Sequence, residues 1–194
     1  MDIKALAQKY EPYIIERRRY FHAHPELSFK EWETTKALVA EFEKMGMEIQ
    51  TFPDYPGLIA TLDTGKPGRT VMLRADIDAL PVKEGTGLDF ASQNEGVMHA
   101  CGHDNHMAML LGAAHILREK KDELKGKVKF LLQSGEEMAC GAKYYVDHHI
   151  LDGVDAIFGQ HIWGTLDAPY VCVASGNRMA SCDNFTIRVK GLQS

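Results

Sequence analysis

Residues 105–133 read NHMAMLLGAAHILREKKDELKGKVKFLLQ, and this stretch decides the fold class. Residues 105–121 carry apolar side chains at helical spacing and end in basic residues that suit the negative end of a helix dipole. Residues 127–133, KVKFLLQ, form an apolar run of strand length. A helix that returns directly into a buried strand is the building unit of a sheet covered by helices. Working outward, RTVMLRA (69–75) reads as another buried strand behind the turn TGKPG (64–68). MEIQTFP (47–53), GLIATLD (57–63), VDAIFGQ (154–160), YVCVAS (170–175) and DNFTIRVK (183–190) read as further strands.

Three more helices are expected. Ile3, Leu6, Ala7, Tyr10, Ile14 and Phe21 share a helical rhythm, with Pro12 either kinking one helix or dividing two. Ser28 followed by Glu31 has the form of a capping box, ahead of an apolar face of Trp32, Leu38, Val39, Phe42 and Met45 closed by Gly46. Residues 139–149 form the last. The expected class is therefore α/β, with a central mostly parallel or mixed sheet and helices on both faces.

Composition narrows the function classes. The chain has 194 residues, 45% hydrophobic and 25% charged, the size and make-up of one globular domain. Lys and Arg number 22 against 27 Asp and Glu, a formal charge of -5 that argues against a nucleic-acid surface. No apolar run approaches the ~20 residues that cross a bilayer, so no membrane partner is expected. The opening MDIKALAQKYEPY lacks the apolar stretch of a signal peptide. Cysteines 101, 140, 172 and 182 form no paired-spacing framework, which points to the reducing cytoplasm.

The chemistry gathers where strands end, as sheets of this class require. Asp76 and Asp78 follow one strand, Glu136 and Glu137 another, and His161 a third, while MHACGHDNH (98–106) precedes a helix. Carboxylates, imidazoles and a thiol are the ligand types of zinc and its transition-metal neighbours. Cys101 and His103, two apart, reach one ion if the loop is extended. His99 and His106 read as weaker candidates, suited to holding a ligand's orientation. In Glu136–Glu137, one carboxylate can bind metal while the other acts as general base, the division that metal-assisted hydrolysis needs. Bland alternatives stand beside each: Asp104 as a helix cap, the Glu pair as a surface cap, Asp78 as a turn residue, His161 as a core histidine. Asp76 is weaker than Asp78 as a site residue. A thiol nucleophile at Cys101 is a competing chemistry that leaves the Glu pair without a task.

RADIDALPV (74–82), MHACGHDNHMAMLLGAA (98–114), SGEEMACGAKYY (134–145) and DAIFGQHIWG (155–164), with RRRYFHAHPELSFKE (17–31), resemble the N-acyl-amino-acid amidohydrolases. That family of dinuclear metallopeptidases includes hippurate hydrolases and indole-acetyl-amino-acid hydrolases. The resemblance implies a three-layer zinc-exopeptidase-like domain and hydrolysis of the amide bond of N-acyl amino acids or short peptides. It implies Cys101, His103, Glu137 and His161 as ligands of two divalent ions, zinc or manganese. Glu136 becomes the general base, and Asp78 supports the ligands, a task that the reading of the residues alone also gives to His106. Ser134-Gly135 departs from the family's usual Pro-Ala.

The resemblance also implies that residues 1–194 are a catalytic domain cut short. The family continues into a lid and dimerisation domain, through which the full-length protein would form a homodimer, and a last histidine completes its metal site. The alternative is a truncated, catalytically silent domain that only binds metal or a partner.

Overall fold

A computed structural model describes residues 2–177, 179, 181 and 185–192 of the chain. Helix α1, Ile3–Ala23, is one continuous helix that contains Pro12, capped by the Asp2 carboxylate on Ala5 N–H. Helix α2, Trp32–Lys44, stops at Gly46, whose φ of 68° suits a residue without Cβ. Strands β1, Glu48–Phe52, β2, Tyr55–Asp63, and β3, Thr70–Asp76, follow. A long irregular segment leads to α3, His103–Glu119, and then come β4, Lys127–Gln133, α4, Gly141–Asp147, and β5, Ala156–Gly159.

The five strands form one sheet in the order β1-β2-β4-β3-β5. β2 runs antiparallel to β1 and β4, whereas β3 is parallel to β4 and to β5. The sheet is mixed, and alternation along its strands divides it into two faces. Leu58, Ala60, Phe130 and Leu132 pack with Leu38 and Phe42 of α2 and Met107 and Leu111 of α3 in the larger core. Ile59, Met72 and Leu131 point the other way, against Phe52 and Tyr145 of α4. Helices therefore cover both faces, as the residue pattern predicts. At Gly112, α1 comes so close to α3 that a Cβ would sit 2.4 Å from the Ile14 side chain.

The chain divides into two compact units, residues 1–163 and 164–194. The sheet and its helices lie in the first. In the second, residues 170–175 and 185–190, read from sequence as strand, belong to no sheet; Cys182, Asp183 and Asn184 lie outside the described residues. β-rich residues form a strand only beside a neighbour that completes the hydrogen-bond ladder, which sequence pattern alone does not supply. No helix among the described residues is long and apolar enough to cross a membrane.

Candidate metal centre

Because β3, β4 and β5 run parallel, their carboxyl ends share one edge of the sheet. Asp76 closes β3 level with Gln133 at the end of β4. The segments beyond that edge are 76–78, 134–137 and 160–162, and the amino end of α3 joins them. Asp76, Asp78, His103 and His106 are all buried.

His103 is held from behind. Its Nδ1 lies 2.8 Å from the Asp78 carbonyl and 3.3 Å from Asp78 Oδ1, so Nδ1 carries a hydrogen and Nε2 is the nitrogen that faces the centre. Burial opposes a charge on this ring, but the Asp78, Asp76 and Glu137 carboxylates outweigh it and raise its pKa above the ordinary value. That Nε2 is buried without a hydrogen-bond partner among the described residues, and so is Glu137 Oε1, 3.7 Å away. Asp76 Oδ2 is 3.7 Å and Glu136 Oε2 3.8 Å from the same nitrogen. Asp78 Oδ2 meanwhile accepts from Glu137 N–H at 2.9 Å and from Ser28 Oγ at 2.7 Å. One residue thus orients a histidine through its backbone carbonyl and anchors the backbone of the glutamate opposite it through its side chain.

Cys101 Sγ is 3.3 Å from His161 Nε2, and with His103 these residues bring one ligand atom each within 4.8 Å of one another. The link between Cys101 and His103 differs from the extended loop expected from their spacing. His103 is the first residue of α3, and Gly102, at φ 86°, turns the chain between them. A side chain at 102 would collide with Ile162, its Cβ 2.2 Å from Cδ1. Burial, then the neighbouring Glu137 and Glu136 charges, push the Cys101 thiol up to about 12. A thiol so protonated at neutral pH is a poor nucleophile, which counts against the competing thiol chemistry.

His106 is committed on both nitrogens. Nδ1 is 2.5 Å from Asp76 Oδ1, and Nε2 accepts the Ile162 N–H at 3.0 Å, which holds the segment that carries His161. Asp76 Oδ2 also accepts from Arg74 at 2.7 Å. Burial opposes ionisation of Asp76, but the His106 hydrogen bond and the Arg74 and His103 charges outweigh it and hold the carboxyl well below the usual range. Asp76 therefore stands closer to the centre than its sequence context suggests.

Two candidates lie elsewhere. His99 is buried, belongs to none of the three ligand groups, and is driven down to about 4 by burial, so its ring is neutral. Asp104 caps nothing: it is buried in the first turn of α3, 2.8 Å from His22 Nδ1 and 2.9 Å from Arg18 Nε. His22, whose Nε2 lies 3.1 Å from Glu84, sits in the 17–31 segment that carries the resemblance but is not among the site residues expected from the sequence.

The residues fit a divalent cation. Glu137 is pushed above the ordinary carboxyl value, first by burial and further by the Glu136 and Asp78 charges, with His103 and Cys101 opposing. The Glu136, Glu137 and Asp76 carboxylates converge on one point beside a single imidazole and a thiol they hold protonated, an excess of buried negative charge that a cation between them would offset. The donor set of sulfur, imidazole and carboxylate suits zinc and its transition-metal neighbours.

Comparison with known proteins places the chain among metallopeptidases and amidohydrolases. Residues 72–187 match the model of peptidase family M20/M25/M40. The chain is 41% identical over 191 residues to an N-acyl-L-amino acid amidohydrolase of Geobacillus stearothermophilus, covering 98% of this chain and 52% of that protein. It is 45% identical to an N-acetylcysteine deacetylase of Bacillus subtilis, covering 92% of this chain and 47% of the relative. A crystal structure of a Bacillus subtilis dinuclear metal-binding peptidase of family M20 superposes with a TM-score of 0.77 at 44% identity, covering 84% of this chain and 45% of that one. The chain spans about half the length of the curated relatives it matches.

Proposed function

This chain belongs to peptidase family M20/M25/M40, and we propose on that premise that it is the catalytic domain of an enzyme that hydrolyses the amide bond of N-acyl amino acids or short peptides. The observation that carries the reading is the convergence of His103 Nε2 and Glu137 Oε1, buried and unpartnered, beside Glu136 and Cys101. Relatives that bear the names amidohydrolase and deacetylase supply the substrate class.

Cys101, His103, Glu137 and His161 would hold two divalent ions, zinc or manganese, with Asp78 and His106 orienting their holders. When bound, such ions polarise an amide carbonyl and make water a stronger acid. Glu136 is the general base. Its side chain is 39% exposed against 17% for Glu137, so it can meet substrate while its neighbour stays buried. It takes a proton from the attacking water and delivers it to the leaving amine nitrogen. Asp78 keeps the His103 proton on Nδ1 throughout. A lid and dimerisation domain, the partner copy it recruits and a cytoplasmic location belong to the same proposal.

The test is release of free amino acid from N-acetyl-methionine or hippurate by this chain and by a version extended past Ser194. Glu136→Gln in the active version should lose about 10²–10⁴-fold in rate while metal content is unchanged. Loss of metal instead overturns the assignment of base and ligand. If neither version turns over any acyl-amino acid, the silent metal-binding domain is the better reading.

A further inference from the structure

Ser28 and Glu31 have the spacing of a capping box, yet α2 begins with neither side chain on its first turn. Both side chains go to the supports of the metal centre instead. Ser28 Oγ donates to Asp78 Oδ2 at 2.7 Å. Glu31 is fully buried, and each of its carboxylate oxygens lies 2.7 Å from the Ser134 hydroxyl; Oε1 also accepts the Gly135 N–H at 3.1 Å. Between them Phe29 stands at φ 63°, in the left-handed region that bulky residues avoid. Its ring lies under Gly135, where an added Cβ would be 2.2 Å from Phe29 Cε1. One short segment therefore grips both acidic arms of the centre. Through Ser28 it holds Asp78, which in turn accepts the Glu137 N–H. Through Phe29 and Glu31 it holds residues 134 and 135, which immediately precede Glu136.

We propose that residues 28–31 form a brace, anchored by Glu31, that sets the position of Glu136 and Glu137 relative to Asp78 and His103. Glu31 is a positioning residue, since it acts only through the backbone at 134–135. The inference rests on the metal-hydrolase reading for what the held carboxylates do. A buried carboxyl is a costly group to place ahead of a helix it does not cap, and apart from its own backbone N–H its donors among the described residues come from this one loop. Strained backbone held at Phe29 fits the same picture, because such strain persists only where surrounding contacts over-determine it.

Two measurements on the chain decide the matter. Hydrogen exchange of metal-free protein should show that Glu31→Ala loses protection at 134–141, where the amides of Ser134, Gly135, Glu137, Ala139 and Gly141 are engaged, with the rest of the sheet unchanged. Titration with cobalt(II) should give about tenfold weaker binding in Glu31→Ala. Glu31→Gln, which keeps an acceptor oxygen for Gly135, should recover most of the affinity. A variant that melts earlier but keeps wild-type exchange at 134–141 and wild-type cobalt affinity overturns the brace and leaves Glu31 a merely structural residue. If Glu31→Ala does not fold, Ser134→Ala, with its smaller loss of one donor, takes the same two readouts. Failure of the wild-type chain to bind cobalt sinks the metal-centre reading, and the exchange data then judge the brace by themselves.

Discussion

Glu31 offers a quantitative test of how this interior handles charge. Its carboxyl is raised from 4.5 to about 7, with burial as the main cause, the hydrogen bonds from Ser134, its own backbone N–H and Gly135 opposing and the Asp78 charge adding. A raised folded-state value for an acid means that the folded chain keeps its proton to higher pH than the unfolded chain does. The contribution of this group to stability is thus full below about pH 4.5 and is lost as pH rises through about 7. The interval, from 4.5 to about 7, corresponds to about 3 kcal/mol at ~1.4 kcal/mol per pH unit. Glu31→Gln keeps the shape and removes the ionisation. Urea unfolding of wild type and variant, in chelator so that metal does not add its own linkage, should be compared in steps from about pH 4.5 to about pH 8. The stability difference between the two should move by about 3 kcal/mol in favour of Gln across that range. A difference that stays constant with pH refutes the claim that an ionisable carboxyl is buried at this position without full compensation.

Other outcomes follow from the same geometry. Asp78→Asn, which puts an amide where Glu137 N–H and Ser28 donate, should weaken zinc binding by about 10–100-fold in a chelator competition, with the fold intact by circular dichroism. Zinc affinity should rise with pH over the neutral range, because the Cys101 thiol, at about 12, must give up its proton to bind. Calorimetry in buffers of different ionisation enthalpy should detect that proton, and buffer-independent heats would exclude the thiolate as a ligand. Phe130→Ala, at a fully buried site beside the Phe42 ring, should cost about 3–5 kcal/mol in the same urea assay.

Where local pattern is strong, sequence and structure coincide. KVKFLLQ is β4 residue for residue, because an apolar run between Gly126 and Gly135 has nowhere to go but the middle of a sheet. The 105–121 helix begins two residues sooner, at His103, and that shift carries the chemistry. With Gly102 in the left-handed region, Cys101 and His103 meet through a turn instead of an extended loop. The capping box fails for the opposite reason. Its residues have the right spacing, but hydrogen bonds to Asp78 and to the 134–135 loop, which are distant in sequence, compete with the local cap.

By itself the sequence determined the class of the fold, the order of the central elements and the types of ligand gathered at the strand ends. Those follow from periodicity and from residue chemistry, both local properties. Only the tertiary structure decided which groups face one another. Asp76 enters the centre, His99 stays outside it, both His106 nitrogens are occupied, and Asp104 binds His22 and Arg18 instead of capping α3. Such pairings depend on parallel strands β3, β4 and β5 bringing distant loops to one edge, and on desolvation that makes an unpaired buried polar atom costly. No pattern along a single chain encodes that competition, because its outcome is settled by distances of a few ångströms between residues such as Glu31 and Gly135, 104 positions apart.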